Sequence, residues 1–510
     1  MLDIKNVTIS KKEDNRLLVS DFNFILNQGD KAVIIGEEGN GKSTLLKFIY
    51  NKLMLDGYCD YSGQILGNNK LGYLEQEMED KWLNSTVEEF LNEVDIYSCS
   101  DPSIWTMNLD ASIFNSRQLM KTLSGGEKVK LRLIKLLAEE PDILLLDEPT
   151  NDLDISTLEW LEDFINHSKC PILYVSHDEA MIENTANVII HLEQVKRKTE
   201  PRYTIAYMDY REYVDKRLSG LQKQETVARK QREDYKNKMQ RWQQIYNKVD
   251  NRQDTISRGD PAGGRLLKKK MKNLLSQEKR IEKQAEEFLE IPDVEEAILF
   301  DFPEGIRIPN GKKVLEYSVD ALKIRNDEEE KILVENIFLR VTGPEHIAII
   351  GENGIGKTTF LHGVAEELLG RTDIRAGYMP QNYEELLDYN SFPIDFLVTS
   401  GQKEDITKAF TFMGGMKFTR EEMEHKIGQL SGGQKAKLIL LKLILDGCNV
   451  LILDEPTRNL SPLSNPVIRG VLSHYGGAII SITHDRKYIE EVATTVYELT
   501  VNGLRKIEIK

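Results

Sequence analysis

Apolar positions along this chain follow two different rhythms. From Asp209 to Ile291 they step by four and three residues. One run is Val214, Leu218, Leu221, Glu225, Ala228, Arg232, Tyr235, Met239, Trp242, Tyr246, Val249; a second is Leu267, Met271, Leu274, Glu278, Ile281, Ala285, Phe288. A 4-3 repeat keeps one stripe of a helix turned toward a partner helix. Between the runs lies Asp250 to Gly264, rich in residues that form turns and break helices. The pattern predicts an antiparallel helical hairpin over 209–292 with an irregular tip near 250–264, an arm of roughly 40–60 Å. Elsewhere, apolar runs of four to six residues alternate with longer helical patterns, which indicates mostly parallel α/β domains. These are expected at 1–208 and 293–510, with Pro292 marking the return from the hairpin.

The two outer segments are one unit written twice. The apolar run Lys31–Ile35 leads into Gly36, Glu37, Glu38, Gly39, Asn40, Gly41, Lys42 and Ser43, then a helical stretch from Thr44. The run His346–Ile350 leads into Gly351, Glu352, Asn353, Gly354, Ile355, Gly356, Lys357 and Thr358, then Thr359. Both match G-x-x-x-x-G-K-[ST] in a strand–loop–helix setting. Glycines there let backbone N–H groups converge on phosphate oxygens at a helix N-terminus. Lys42 and Lys357 can reach the β- and γ-phosphates, and the hydroxyls of Ser43 and Thr358 can ligate Mg²⁺.

A series of further motifs recurs in step. Ser124, Gly125, Gly126, Glu127 is repeated as Ser431, Gly432, Gly433, Gln434. A buried strand ends in Asp147-Glu148, and another in Asp454-Glu455; His177 and His484 follow 30 residues after the aspartates. An acid closing an apolar strand needs a positive partner to remain charged, and Mg²⁺ would supply it to Asp147 and Asp454. Glu148 and Glu455 would sit beside the γ-phosphate, able to orient or deprotonate water. A single histidine of this kind is usually structural, but the repeated spacing favours a role for both. Gln76 and Gln381, each in a Gly-Tyr-x-x-Gln context, can ligate Mg²⁺ through an amide oxygen or sense the γ-phosphate.

Charge changes the picture of the hairpin. Residues 216–283 hold 20 Lys/Arg against 8 Asp/Glu, a balance of +12 within a chain of −16, leaving −28 for the rest. A basic rod on an acidic body points to a polyanion met by the rod, although a merely solvated coiled coil carries such charge too. No run approaches the roughly 18–20 apolar residues of a membrane span. The N-terminus lacks the pattern of a signal peptide. Cys59, Cys99, Cys170 and Cys448 are scattered without metal spacing. The chain reads as a soluble cytoplasmic protein.

With these motifs in order, the chain resembles an ATP-binding cassette protein with two nucleotide-binding domains, the Leu-Ser-Gly-Gly phrase being the family signature. The fold this implies is α/β, two P-loop cassettes in tandem joined by a long antiparallel helical hairpin. The resemblance further implies a monomer whose cassettes close head to tail as an internal pseudo-dimer. One ATP would lie between Gly36–Ser43 with Asp147, Glu148 and His177 and the opposite Ser431–Gln434. The other would lie between Gly351–Thr358 with Asp454, Glu455 and His484 and the opposite Ser124–Glu127. ATP over GTP rests on the resemblance alone, since no aromatic residue is placed for stacking on adenine within Ser10–Arg16 or Arg325–Lys331.

A basic hairpin between cassettes, without a membrane domain, is similar to the ABC-F subfamily of ribosome-acting ATPases. It implies a cytoplasmic, ribosome-associated protein. Its hairpin would enter from the tRNA exit site and approach rRNA and P-site tRNA near the peptidyl-transferase centre. Gln76 to Ser124 is 48 residues and Gln381 to Ser431 is 50, too short for the inserted arm of housekeeping members, and no extension is expected beyond Lys510. The first cassette has Asn151-Asp-Leu-Asp154, whereas the second has Arg458-Asn-Leu-Ser-Pro-Leu-Ser464. That wording is similar to the antibiotic-resistance branch of the Vga and Lsa type, which protects ribosomes against lincosamides, pleuromutilins and group A streptogramins. Ser461 in place of a carboxylate predicts unequal turnover at the two sites. Arg252, Ile256, Ser257, Arg258 and Pro261 are the tip residues expected near the drug site. A translation factor rescuing stalled ribosomes is the alternative; a transporter's ATPase subunit or a DNA-bound ATPase fits the hairpin less well.

Overall fold

The computed structural model describes residues 1–92, 94, 109, 113–114, 116–195, 199–255, 261–286, 302, 305–326, 329–398 and 401–508. Cys99, Ile256, Ser257, Arg258, Phe288 and Pro292 lie outside the described residues. Two compact units divide the chain. One joins Met1–Arg211 to Val294–Lys510; the other is Glu212–Asp293.

In the first unit each half is built on a six-stranded sheet. The first half contains β1 (Leu2–Lys11), β2 (Leu17–Leu26), β3 (Lys31–Ile35), β4 (Cys59–Leu66), β5 (Leu71–Leu74), β6 (Ile143–Asp147), β7 (Ile172–Val175), β8 (Val188–Val195) and β9 (Glu200–Ala206). Its main sheet runs β5-β6-β7-β3-β8-β9, parallel except for β9, while β2-β1-β4 form a separate antiparallel sheet. The second half contains β10 (Lys313–Asn326), β11 (Glu329–Thr342), β12 (His346–Ile350), β13 (Ala376–Met379), β14 (Val450–Asp454), β15 (Ala478–Ile482), β16 (Thr495–Thr500) and β17 (Gly503–Ile507). Its order β13-β14-β15-β12-β16-β17 repeats the first sheet strand for strand. Central strands β3, β6, β7, β14 and β15 are buried at every position, as continuous Val/Ile/Leu runs require when helices cover both faces of a sheet.

Helices enter where the sequence changes rhythm. The ones that place the site are α1 (Lys42–Asn51), α2 (Gly125–Ala138), α3 (Ile155–His167) and α4 (Glu179–Thr185) in the first half. The hairpin supplies α5 (Tyr210–Thr255) and α6 (Pro261–Glu286). The second half has α7 (Lys357–Leu369), α8 (Gly432–Leu445), α9 (Asn465–Ser473) and α10 (Arg486–Val492).

The hairpin unit has a small core of its own. Trp242, Val249 and Leu274 are buried, with Met239, Tyr246, Leu267 and Met271 packed against them. Trp242 Nε1–H donates to the Leu274 carbonyl at 2.9 Å, tying α5 to α6. Toward the start of α5 the stripe drifts: Leu218 and Arg232 are exposed, and Arg217 and Gln231 are half-buried instead. An undistorted helix turns every 3.6 residues, not 3.5, and slips against a strict heptad in this way. Helix also extends into the stretch expected to be irregular, claiming residues 250–255 and 261–264. Pro261 fits the first turn of α6, where its missing N–H has no helical partner to lose, and Gly263 and Gly264 are tolerated there at about 1 kcal/mol each.

Candidate functional site

Both P-loops close around their own lysine. Gly41 (φ 90°) and Gly356 (φ 102°) precede α1 and α7 in the left-handed region, which a side chain would strain. Lys42 Nζ donates to the carbonyls of Gly36 (2.7 Å) and Glu37 (3.1 Å), and Lys357 Nζ to those of Gly351 (2.8 Å) and Glu352 (2.9 Å). Burial lowers the pKa of each ammonium, opposed first by the acid that follows the strand, Glu148 or Glu455. A buried ammonium held only by neutral carbonyls is prepared for anionic oxygens.

The acids stand opposite these loops. Ser43 Oγ donates to Asp147 Oδ1 at 2.7 Å, and Tyr73 O–H to Oδ2 at 3.1 Å. Asp454 is buried like Asp147, but neither of its oxygens makes a hydrogen bond of normal geometry. Burial pushes its acid up to about 6, opposed first by the nearby Thr358 hydroxyl. A buried carboxylate with orphaned oxygens, beside a P-loop hydroxyl, fits a hard divalent cation.

Glu148 and Glu455 share an unusual backbone. Both are left-handed (φ 49° and 51°), a conformation that costs a non-glycine residue of order 1–3 kcal/mol and clusters at functional sites. Each is anchored by its N–H, Glu148 on the Val175 carbonyl at 3.1 Å and Glu455 on that of Ile482 at 2.9 Å. Their surroundings then diverge. Glu148 Oε1 is 3.0 Å from His177 Nε2, and His177 Nδ1 faces the Leu460 carbonyl of the other half at 2.8 Å. Burial alone would raise the Glu148 pKa, but His177 and Lys42 outweigh it and the acid ends below its ordinary value. Glu455 stands 3.7 Å from His484 Nε2, and His484 Nδ1 is buried without a partner. Glu455 is pushed up to about 8, first by burial and then by the Asp454 charge; His484 is brought down to about 4, first by burial and then by Lys357.

The signature segments are helix N-termini. Ser124 caps α2 and Ser431 caps α8, each closing a reciprocal box with Glu127 or Gln434. Side chains expected at the nucleotide are therefore turned to capping. The glycines permit close approach: a Cβ on Gly125 would meet the Asp152 carbonyl oxygen at 2.3 Å, and one on Gly433 the Asn459 carbonyl oxygen at 2.7 Å.

Two cavities result. One, of about 270 Å³, is lined by Gly39, Gly41, Lys42, Ser43, Thr44, Gln76, Glu148 and His177 with Arg458 and Asn459 of the other half. The second, about 460 Å³, gathers Asn353, Gly354, Gly356, Lys357, Thr358, Thr359, Gln381, Asp454, Glu455 and His484 with Gly125 and Asp152 across from them. Contacts between halves close both. Glu38 accepts from the Gly433 N–H at 2.8 Å, Asn353 Nδ2 donates to the Asp152 carbonyl, and Arg458 pairs with Asp152 at 2.7 Å. Ser124, Gly126, Glu127 and Ser431 to Gln434 do not line these cavities, and at the first one Glu38 itself covers the end of α8. Lys11 and Leu18 line the first cavity on the side of the segment before the P-loop. Nothing in the spacing of Arg458 marks it in the sequence as a cation that reaches across to Asp152.

Arg252 is exposed on α5, and Pro261 opens α6; both belong to the hairpin unit. Among the described residues, no helix is long and apolar enough to cross a membrane.

The family described as ABC transporter matches residues 19–151 and 334–458, a little over half of the chain. "ABC transporter F family member 5" of Arabidopsis thaliana is 26% identical, over 97% of this chain and 75% of its own length. The ribosome protection protein VmlR of Bacillus subtilis is 29% identical, over 99% of this chain and 88% of its own. An archaeal ribosome recycling factor, solved in complex with a ribosomal stalk protein, shares the fold with a TM-score of 0.59 at 15% identity, over 98% of this chain and 89% of that one. Paired P-loops, strand-end acids and signature helices, matched in both halves, identify the chain as a member of the ABC transporter family with two tandem ATP-binding domains, homologous to ABC-F proteins and acting as an ATPase.

Proposed function

We propose that this ATPase binds the ribosome and protects it from antibiotics, as a member of the Vga and Lsa branch. The observation that carries the reading is the hairpin unit, a basic rod between two cassettes whose remaining residues are strongly acidic. A polyanion is the partner such a rod fits, and counter-ion release from RNA would make the binding salt-dependent. Similarity along 99% of the chain to a protein named for ribosome protection supports the ribosome as that polyanion. The hairpin tip, with Arg252, Ile256, Ser257, Arg258 and Pro261, would approach the peptidyl-transferase centre from the tRNA exit site. There it would dislodge lincosamide, pleuromutilin or streptogramin A drugs, directly or by shifting tRNA and rRNA.

In the cassettes, Lys42 and Lys357 would hold the β- and γ-phosphates, and Glu148 and Glu455 would orient or accept a proton from the attacking water, positioned by His177 and His484. Ser43, Gln76 and Asp147, and Thr358, Gln381 and Asp454, would hold Mg²⁺, which when bound screens the phosphate charge. ATP binding would stabilise the closed pair of cassettes, and hydrolysis would release it.

The test is a translation assay inhibited by lincomycin or tiamulin, with purified protein and ATP added. Restored synthesis supports protection. No restoration, with faster recovery of stalled ribosomes instead, would assign the protein to rescue.

A further inference from the structure

Beyond the nucleotide sites, the two halves meet through charges arranged by a rule. In the first half, Glu162 lies on α3 and Glu179 opens α4. The positions 307 residues later, the interval separating His177 from His484, are Arg469 on α9 and Arg486 opening α10. Across the interface Arg469 Nη1 lies 2.7 Å from Glu179 Oε2, and Arg486 pairs with Glu162. These are the two copies of one contact, related by the duplication. One half carries acid at both positions and the other carries base at both.

Each half also supports its own sign. Asn184 Nδ2 donates to Glu162 at 2.9 Å. Its counterpart 307 residues on, Glu491, accepts from Arg469 Nε at 2.9 Å and Nη2 at 3.2 Å. An amide donor thus serves the acid and a carboxylate serves the guanidinium. The site is buried: Arg469 is 1% exposed, Glu162 8% and Glu179 9%. Lys487 paired with Glu183 at 2.8 Å adds a further contact of the same polarity.

We infer that Glu162, Glu179 and Asn184 against Arg469, Arg486 and Glu491 form a pairing code that makes unlike cassettes partners and rejects like ones. Two first cassettes facing each other would bury Glu162 against Glu179 twice; two second cassettes would bury Arg469 against Arg486 twice. Uncompensated like charges at a buried contact are strongly unfavourable, and repulsion of this kind is how specificity against a near-identical surface is achieved. A chain with two cassettes of one fold needs such a device, because shape alone does not distinguish its halves.

The test uses full-length protein in three forms. Glu162→Arg, Glu179→Arg, Asn184→Glu makes both halves basic; Arg469→Glu, Arg486→Glu, Glu491→Asn makes both acidic; the third form carries all six changes. Closure is followed by the distance between spin labels on the two halves with ATP, together with ATPase rate. Each three-residue form should lose ATP-dependent closure and at least about 10-fold in rate, and the six-residue form should regain most of both. Mixing the two defective forms should restore ATPase through a 1:1 dimer in which every cassette meets its opposite sign. Wild-type closure in either three-residue form would overturn the inference, as would a folded six-residue form no better than its parents. If a three-residue form fails to fold by circular dichroism, the neutral cycle Glu162→Gln, Arg486→Gln and both reads the same coupling. The double should then lose no more closure than either single, and additive losses would count against the code.

Discussion

His177 Nδ1 faces the carbonyl of Leu460, a residue of the opposite half, at 2.8 Å, while its Nε2 meets Glu148 at 3.0 Å. One cassette therefore aligns the histidine and the acid of the other. The reciprocal arrangement is incomplete: His484 has an unpartnered Nδ1 and its Nε2 stands 3.7 Å from Glu455, which accepts the His484 backbone N–H at 3.3 Å instead. The two sites differ in readiness although their motifs are nearly the same.

Unequal turnover should follow. Glu148→Gln is expected to remove most of the steady-state ATPase, about 100-fold or more, since general-base assistance is of that size. Glu455→Gln should cost clearly less. Single-turnover hydrolysis of radiolabelled ATP by each variant checks this, and equal losses would contradict it.

Glu38 occupies the N-terminus of α8 through its contact with the Gly433 N–H. A carboxylate there competes with any phosphate bound at the same helix end. Glu38→Gln should tighten ATP binding at that site by about 2- to 5-fold, the value of one exposed charge at a helix terminus. Fluorescent ATP titration of the variant reads it, and weakened binding would mean that Glu38 assists the nucleotide.

Gly433 has no room for a side chain beside the Asn459 carbonyl, nor Gly125 beside that of Asp152. Alanine at either position should push the start of α2 or α8 away from the neighbouring loop of its own half and so misplace it against the opposite P-loop, and displacement by about 1 Å can cost about 100-fold in rate. ATP binding to the P-loops should survive, so the fall should appear in turnover and not in nucleotide affinity.

Asp454 is a buried carboxylate without good hydrogen bonds. Asp454→Asn should raise the stability of the nucleotide-free protein by about 1–3 kcal/mol, the usual penalty for such a group. It should also abolish the additional thermal stabilisation by ATP with Mg²⁺. Melting curves with and without ATP and Mg²⁺ test both halves of the prediction.

Trp242 holds the hairpin together through ring burial and its bond to Leu274. Trp242→Ala should cost about 3–5 kcal/mol locally, exposing 212–286 to protease while ATPase persists. Trp242→Phe, which loses the hydrogen bond and part of the buried ring but keeps an aromatic side chain, should cost less, about 1–3 kcal/mol.

The cassettes were legible in the sequence because their chemistry is local. A P-loop is eight consecutive residues, and the strands ending in Asp147 and Asp454 announce themselves as unbroken apolar runs. The left-handed backbone of Glu148 and Glu455 was not legible, since nothing in a glutamate marks a positive φ. Neither were Glu38 on Gly433 or Arg469 on Glu179, pairs hundreds of positions apart that exist only once the halves are packed. That Glu127 and Gln434 cap their own helices was not legible either, because a capping box and a phosphate site favour the same Ser-Gly-Gly opening. Helix at 261–264 ran against a composition of Pro and Gly that elsewhere forms turns.

In the proposed function, ATP closure creates the form that holds the ribosome. The double variant Glu148→Gln, Glu455→Gln should bind ATP without hydrolysing it and remain closed. Sedimented with ribosomes at moderate and high salt, it should pellet with them only when ATP is present, and less as salt rises. Failure to pellet in a protein shown to retain ATP would contradict the account.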